Sequence, residues 1–303
     1  MKNFCRRSCR APVSLPRIVL LSLLLAWGVA SAPTPLAAQT PAALAVSDTL
    51  YEIRLADGST YIGQVVEAQG DQITLQSTGG VRITFNRAQI ARVRPAQGRI
   101  VEGEFWREDT NKTRLFFAPT GRTLEAGEGY AGLFFVLPFV SYGVTDWVTL
   151  SGGLPLIGSF DEGVPFFYLA PKVRVLSMPN TQVSTGVLAF FGGDEVAGIV
   201  YGVGTFGDAD RAVTAGAGVP FLAGETVSEF VAMLGGEYRT GRRSKLLTEN
   251  WFIPGESGAL LTGGIRLIGE RWSTDLGIAA AVGEGEGFYF PIVSFAYSFG
   301  GRR

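Results

Sequence analysis

The chain has 303 residues, 17% of them charged, a formal net charge of −1, 41 glycines and no histidine. That length holds one large domain or a domain plus a small module, and the balanced charge leaves no basic excess for nucleic acid. Glycine at about twice its ordinary share, with 12% aromatics, fits twisted, closely packed strands; the aromatic and β-branched apolar residues argue against a disordered chain.

Residues 1–38 read as a secretory signal. Lys2, Arg6, Arg7, Arg10 and Arg17 form a positive leader, 18–30 an apolar core, and small residues follow, with a cut near Ala38 or Gln39. Cys5 and Cys9 precede that core, so the exported chain is expected to carry no disulfide, thiolate metal site or cysteine-linked lipid anchor. Losing five of 26 cations leaves 21 against 27 acids, a balance of −6 that disfavours nucleic acid and anionic surfaces. No later charge-free apolar run of about 20 residues has helical character, so a helical inner-membrane protein is not expected.

Residues 49–97 read as a compact β module. Short alternating runs at 50–55, 60–67, 72–76, 81–85 and 90–93 are separated by Ala56-Asp57-Gly58, Gln69-Gly70-Asp71 and Gly79-Gly80, turn residues that tolerate positive φ. The lead-in Tyr51-Glu52-Ile53-Arg54-Leu55, then Asp57-Gly58 and Gly63, resembles small SH3-like or Sm-like barrels. Many Sm-like proteins bind RNA. Here five acids face five arginines between Asp48 and Arg94, so a periplasmic interaction or assembly module is the expectation, with a protein partner and no nucleic acid. Residues 98–112 read as a polar linker to the C-terminal region, with Trp106 as an interfacial anchor or a cap on the module's core.

From 113 to 299 alternating runs recur at 113–120, 130–144, 147–157, 165–176, 181–192, 196–206, 211–222, 227–239, 244–253, 259–269, 273–282 and 288–299. These lengths mostly suit tilted strands crossing a bilayer, and the count is twelve; an even count places both chain ends on one side. Splitting or merging 130–144 and 246–253 would give ten or fourteen. Pro138, Pro155, Pro171 and Pro220 fall inside runs and remove ladder donors. Odd-numbered links, around Glu125 and Glu128, Asp161-Glu162, Asp194-Glu195, Glu225, Glu256 and Glu284 with Glu286, are expected outside. The tight turns Thr145-Asp146, Pro179-Asn180, 207–210, 240–243 and Glu270-Arg271 are expected in the periplasm. Both sets are short, so no plug or lid built from these loops is expected.

Where the alternation is clear, Leu150, Leu169, Val173, Val213, Leu276 and Ile278 fall on the lipid face. A cation facing lipid at mid-depth costs about 2–4 kcal/mol, so Arg114, Lys172, Arg174, Glu229, Glu237, Arg266 and Asp275 are assigned to the lumen, Arg114 beside lipid-facing Leu115 and Phe117, while Glu249 stays ambiguous. A water-soluble sandwich also alternates, but would turn its polar face outward. In the last run, Tyr289, Val293, Phe295, Tyr297 and Phe299 share one face and Ser294, Ala296 and Ser298 the other, as in a barrel's closing strand.

The export signal, the alternating C-terminal region and the terminal aromatic resemble bacterial outer-membrane β-barrel proteins. Thr113 to Thr120, followed by Gly127-Glu128-Gly129-Tyr130, resembles the first hairpin of uncharacterised members. The resemblance covers about 113–299. It implies an all-β transmembrane antiparallel barrel in a Gram-negative-type outer membrane, with lipid and the barrel assembly machinery as partners. It also implies that Phe295, Tyr297 and Phe299 form the assembly signal, although Gly300-Gly301-Arg302-Arg303 extend past the usual end.

Without histidine or mature cysteine, and with Lys112, Lys172 and Lys245 the only mature lysines and none ending a Ser-x-x-Lys, neither an enzyme nor a cofactor is expected. Two readings stay open: a passive channel for small hydrophilic solutes with a mixed-charge lumen, or a closed structural barrel anchoring the small module.

Overall fold

The computed structural model describes residues 44–154, 166–193, 195–223, 230–253, 258–283 and 287–300. Among them all regular elements are strands apart from one 3-10 turn. The expected signal, Glu229 and the links at Asp161-Glu162, Asp194, Glu225, Glu256, Glu284 and Glu286 lie outside the described residues.

Five strands form the N-terminal sheet: β1 (Leu50–Leu55), β2 (Thr60–Gln69), β3 (Gln72–Ser77), β4 (Arg82–Asn86) and β5 (Ile90–Pro95), in the order β4-β3-β2-β1-β5. Gly58, Gly70 and Gly80 take the positive φ its turns require. The 3-10 turn Arg87–Gln89 is closed by a capping box between Asn86 and Gln89. Ile53, Val65, Ile73, Leu75, Phe85, Ile90 and Val93 make its core, each buried large side chain stabilising by about 1.5–3 kcal/mol.

The expected linker is ordered. β6 (Gly98–Val101) and β7 (Glu104–Arg107) form a hairpin fastened to the sheet by Glu52, whose carboxylate accepts from Arg94 and Arg107, each at 2.9 Å. Trp106 lies beneath the guanidinium groups of Arg99 and Arg239.

Twelve antiparallel strands close the barrel: β8 (Glu128–Phe134), β9 (Leu137–Thr145), β10 (Val148–Gly153), β11 (Phe166–Met178), β12 (Thr181–Gly192), β13 (Glu195–Gly207), β14 (Arg211–Leu222), β15 (Val231–Gly241), β16 (Ser244–Ile253), β17 (Gly258–Ile268), β18 (Trp272–Val282) and β19 (Phe288–Gly300). The closing strand expected at the C-terminus pairs with β8, from Ser294↔Phe134 to Gly300↔Glu128. Proline sits where a ladder stops: Pro171 interrupts pairing between Leu169 and Lys172, and Pro220 lies beyond Gly218, the last residue paired with β15.

The count of twelve is reached by a different route from the expected one. Run 130–144 splits into β8 and β9 at Phe135-Val136, a turn without glycine in which Phe135 takes φ 52°. Run 113–120 is not a wall strand at all. Leu115, Phe116 and Ala118 are buried inside the barrel, so Leu115, expected on the lipid face, is a core residue, and Phe117 lines the interior too. The Glu125–Glu128 link therefore sits at the same end as Asp146, whose carboxylate accepts from Ala126 N at 2.9 Å, and not outside. The short turns share that end with the N-terminal module. Arg94 pairs with Glu270, Arg99 with Asp210, and Arg239 donates to Arg107 O at 2.9 Å.

Candidate functional site

Residues 108–127, expected as the end of a linker, a first wall strand and a short link, instead occupy the lumen. The segment leaves the module near Arg107, turns inside the barrel and returns beside Asp146 to start β8. Its tip is a tight hairpin, with Leu115 N donating to Ala118 O at 2.9 Å and Thr120 N to Thr113 O at 3.0 Å. Only its ends pair with other backbone, Glu108 N donating to Gln97 O at 3.2 Å and Gly127 N to Gly143 O of β9 at 2.9 Å, among the described residues; between them wall side chains satisfy several of the remaining groups. Glu249 Oε2 accepts from Phe117 N at 2.8 Å and Ala118 N at 3.0 Å, Thr205 Oγ1 from Gly121 N at 2.9 Å, and Thr149 Oγ1 from Leu124 N at 2.9 Å. Ser184 donates to Gly121 O at 2.8 Å. A Cβ on Gly121 would stand 2.0 Å from Gln182 O, so only glycine passes that close to β12.

A charge network locks the segment to the wall. Arg266, fully buried, makes a two-pronged contact with Asp275, at 2.6 and 3.0 Å, and reaches Asp109 Oδ2 at 3.2 Å. The same oxygen takes Lys245 Nζ at 2.8 Å, and Lys245 also meets Glu237 at 3.1 Å. Arg122 of the segment closes on the other oxygen of Glu237. Arg266 further donates to the backbone carbonyls of Leu115 and Asn111, at 2.6 and 2.7 Å. Arg114 donates to Asn111, Phe116 O and Ser294, lies 3.8 Å from Asp275 and stacks on Phe139. Such buried charges persist only when paired and hydrogen-bonded.

Around this interior the outer face is apolar. Val140, Leu150, Leu169, Val200, Val213, Leu234, Leu276 and Ile278 are exposed on a belt between two sets of aromatics. Tyr142, Trp147, Phe206, Tyr238, Trp272 and Tyr297 stand by the turns at the module end, and Phe166, Phe167, Phe252, Phe288 and Tyr289 at the other. Tyr289 and Tyr297 lie about 26 Å apart along β19 at roughly 3.3 Å per residue, enough to bracket a hydrocarbon layer. An aromatic-girdled single-chain antiparallel barrel with an apolar outer belt and its charged side chains turned inward belongs to the outer membrane. The chain is an outer-membrane β-barrel.

No family model and no curated protein matches this barrel. Among solved structures it is similar to the KdgM porin in complex with disordered oligogalacturonate, at 12% identity and a TM-score of 0.43 over 57% of this chain and 98% of that one. It is also similar to a loop-deletion mutant of OmpT, an outer membrane protein of Vibrio cholerae (11%, TM-score 0.35, 82% of this chain and 96% of that one). A third is the outer membrane channel DcaP of Acinetobacter baumannii (12%, TM-score 0.29, 83% and 94%).

Of the residues assigned to the lumen from sequence, Arg114, Lys172, Glu237, Arg266 and Asp275 are buried inside. Arg114 belongs to the inserted segment rather than to a wall strand, and the others meet that segment or one another instead of lining an open passage. Arg174 is partly exposed near the module end and stacks over Trp147 at 4.8 Å. Phe295, Tyr297 and Phe299 project from the outer face of β19. Asp109, Arg122 and Lys245 were outside the sequence assignment, and Glu249 is resolved as luminal. Alternation with Leu246 was the one available signal for Lys245; for Asp109, in a run of polar residues, there was none.

Proposed function

We propose that the barrel is a channel for small hydrophilic solutes that residues 108–127 hold shut, with the N-terminal module in the periplasm. The observation that carries this reading is that the charged wall is completed by a segment outside the wall: Asp109 supplies the carboxylate shared by Lys245 and Arg266. Withdrawing the segment leaves Lys172, Lys245, Glu249 and Arg266 facing a space that water and small solutes can fill. The second reading, a permanently closed barrel that anchors the module, draws on the pairs inside the wall, Arg266 with Asp275 and Lys245 with Glu237.

Planar-bilayer recording separates the two. Residues 39–303 should give few openings, and the barrel lacking residues 39–126 stable ohmic steps. A folded but silent truncated barrel rejects the channel. The lack of histidine supports a non-enzymatic role. The order β4-β3-β2-β1-β5 with a 3-10 turn before β5 supports an SH3-like reading of the module, whose partner would be a periplasmic protein. The outward aromatics of β19 suit recognition by the barrel assembly machinery.

A further inference from the structure

A cavity of about 120 Å³ remains beside the inserted segment. Its lining is mostly apolar, including Phe117, Phe139, Leu188, Ile199, Met233 and Trp251, and extends along the strands toward the end away from the module. Two cations reach it, Arg114 and Lys172, and no carboxylate lines it among the described residues. Their situations differ. Arg114 is committed to Asn111, Phe116 O, Ser294 and Asp275. Lys172, buried to 4% exposure, donates among the described residues to two neutral carbonyls, Thr113 O at 3.0 Å and Thr120 O at 2.9 Å, and no described carboxylate forms an ion pair with it. An ammonium has three protons to donate, so one is left over. A buried ammonium without a counter-charge is costly, and an anion brought in by a ligand would supply one.

We infer that this cavity binds an amphipathic monoanion, a carboxylate on an aliphatic or aromatic body, with the head at Lys172 and the body among the apolar side chains. This goes beyond conduction and does not depend on whether the segment ever withdraws. It requires only the closed state described above.

The test uses residues 39–303 in nanodiscs of uncharged phosphatidylcholine, with folding checked by heat-modifiable gel migration. Decanoate, decyltrimethylammonium and decanol share one tail and differ in the head. Calorimetric titration, corrected for empty nanodiscs, should give saturable decanoate binding at least tenfold tighter than either of the others. Lys172→Met should abolish that preference, and Ala170→Phe, which fills the cavity two residues along β11 on the same face, should remove binding with the charge intact. Equal affinity for the three heads, or no saturable decanoate binding to folded protein, overturns the inference. Because the head-group series needs no substitution, it stands even if Lys172→Met fails to fold.

Discussion

Lys245 Nζ meets Asp109 Oδ2 at 2.8 Å, and this contact joins a wall strand to the segment that fills the barrel. Lys245 and Arg266 are both buried and both rely on that carboxylate. Asp109→Ala leaves them undercompensated, and removing one partner of a buried pair costs roughly 3–5 kcal/mol. The expected outcome is release of the segment from an intact barrel. Limited trypsin digestion should newly cleave after Lys112 or Arg114, while the heat-modifiable gel shift of the barrel is retained.

The same carboxylate sets the acid response. Burial pushes the Asp109 carboxyl up, but the charges of Lys245 and Arg266 outweigh it and hold the group well below the usual carboxylate range. A depressed folded value means that the stabilisation is complete above the unfolded value, 3.8, and is lost as pH falls through the folded one. Conductance should therefore stay low and unchanged from about pH 7 to pH 5, and openings should rise only in strong acid. Openings already frequent near pH 5 would contradict this assignment.

Glu249 holds the hairpin tip with one oxygen on two amides and the other on Trp251 Nε1, at 2.8 Å. Glu249→Gln turns an amide group toward these donors, and each orphaned donor costs about 1–3 kcal/mol. Hydrogen exchange at the Phe117 and Ala118 amides should accelerate roughly tenfold or more, the equivalent of about 1.4 kcal/mol, with β16 amides unaffected.

Gly121→Ala forces a methyl to within 2.0 Å of the Gln182 carbonyl oxygen, a backbone atom with no rotamer to move aside. The segment must shift, at a cost of about 1–3 kcal/mol. Thermal unfolding should show a lowered midpoint for loss of the segment, whereas Gly103→Ala, with nothing within 4 Å of its Cβ, should lose only the preference of its φ of 80° for glycine.

Most of the wall was legible in the amino-acid sequence because lipid outside and polar groups inside enforce a period of two: β12, β14 and β16 span the residues that alternation assigns them. Two regions were not legible. The β8–β9 turn carries no glycine, asparagine or aspartate, since Phe135 itself adopts positive φ, so nothing punctuates an otherwise continuous apolar run. Residues 113–120 mix Arg114 with Leu115, Phe116 and Phe117, a pattern that a wall strand and a luminal hairpin satisfy equally. What separates them is tertiary: Glu249, Thr205 and Arg266 satisfy backbone groups that a neighbouring strand would otherwise take. Asp109 was hidden for the same reason, its partners lying 136 and 157 residues away.

Both ends of the 108–127 segment leave the barrel by the same mouth, one beside Arg239 and the other beside Asp146. Topologically it is a loop laid into a tube and not a thread drawn through it. It can be pulled out or reseated without parting β19 from β8, and the pull can be exerted only from the module side. If the segment withdraws as proposed, the module's grip on the rim, through Arg94 and Arg99, would be the latch on that movement.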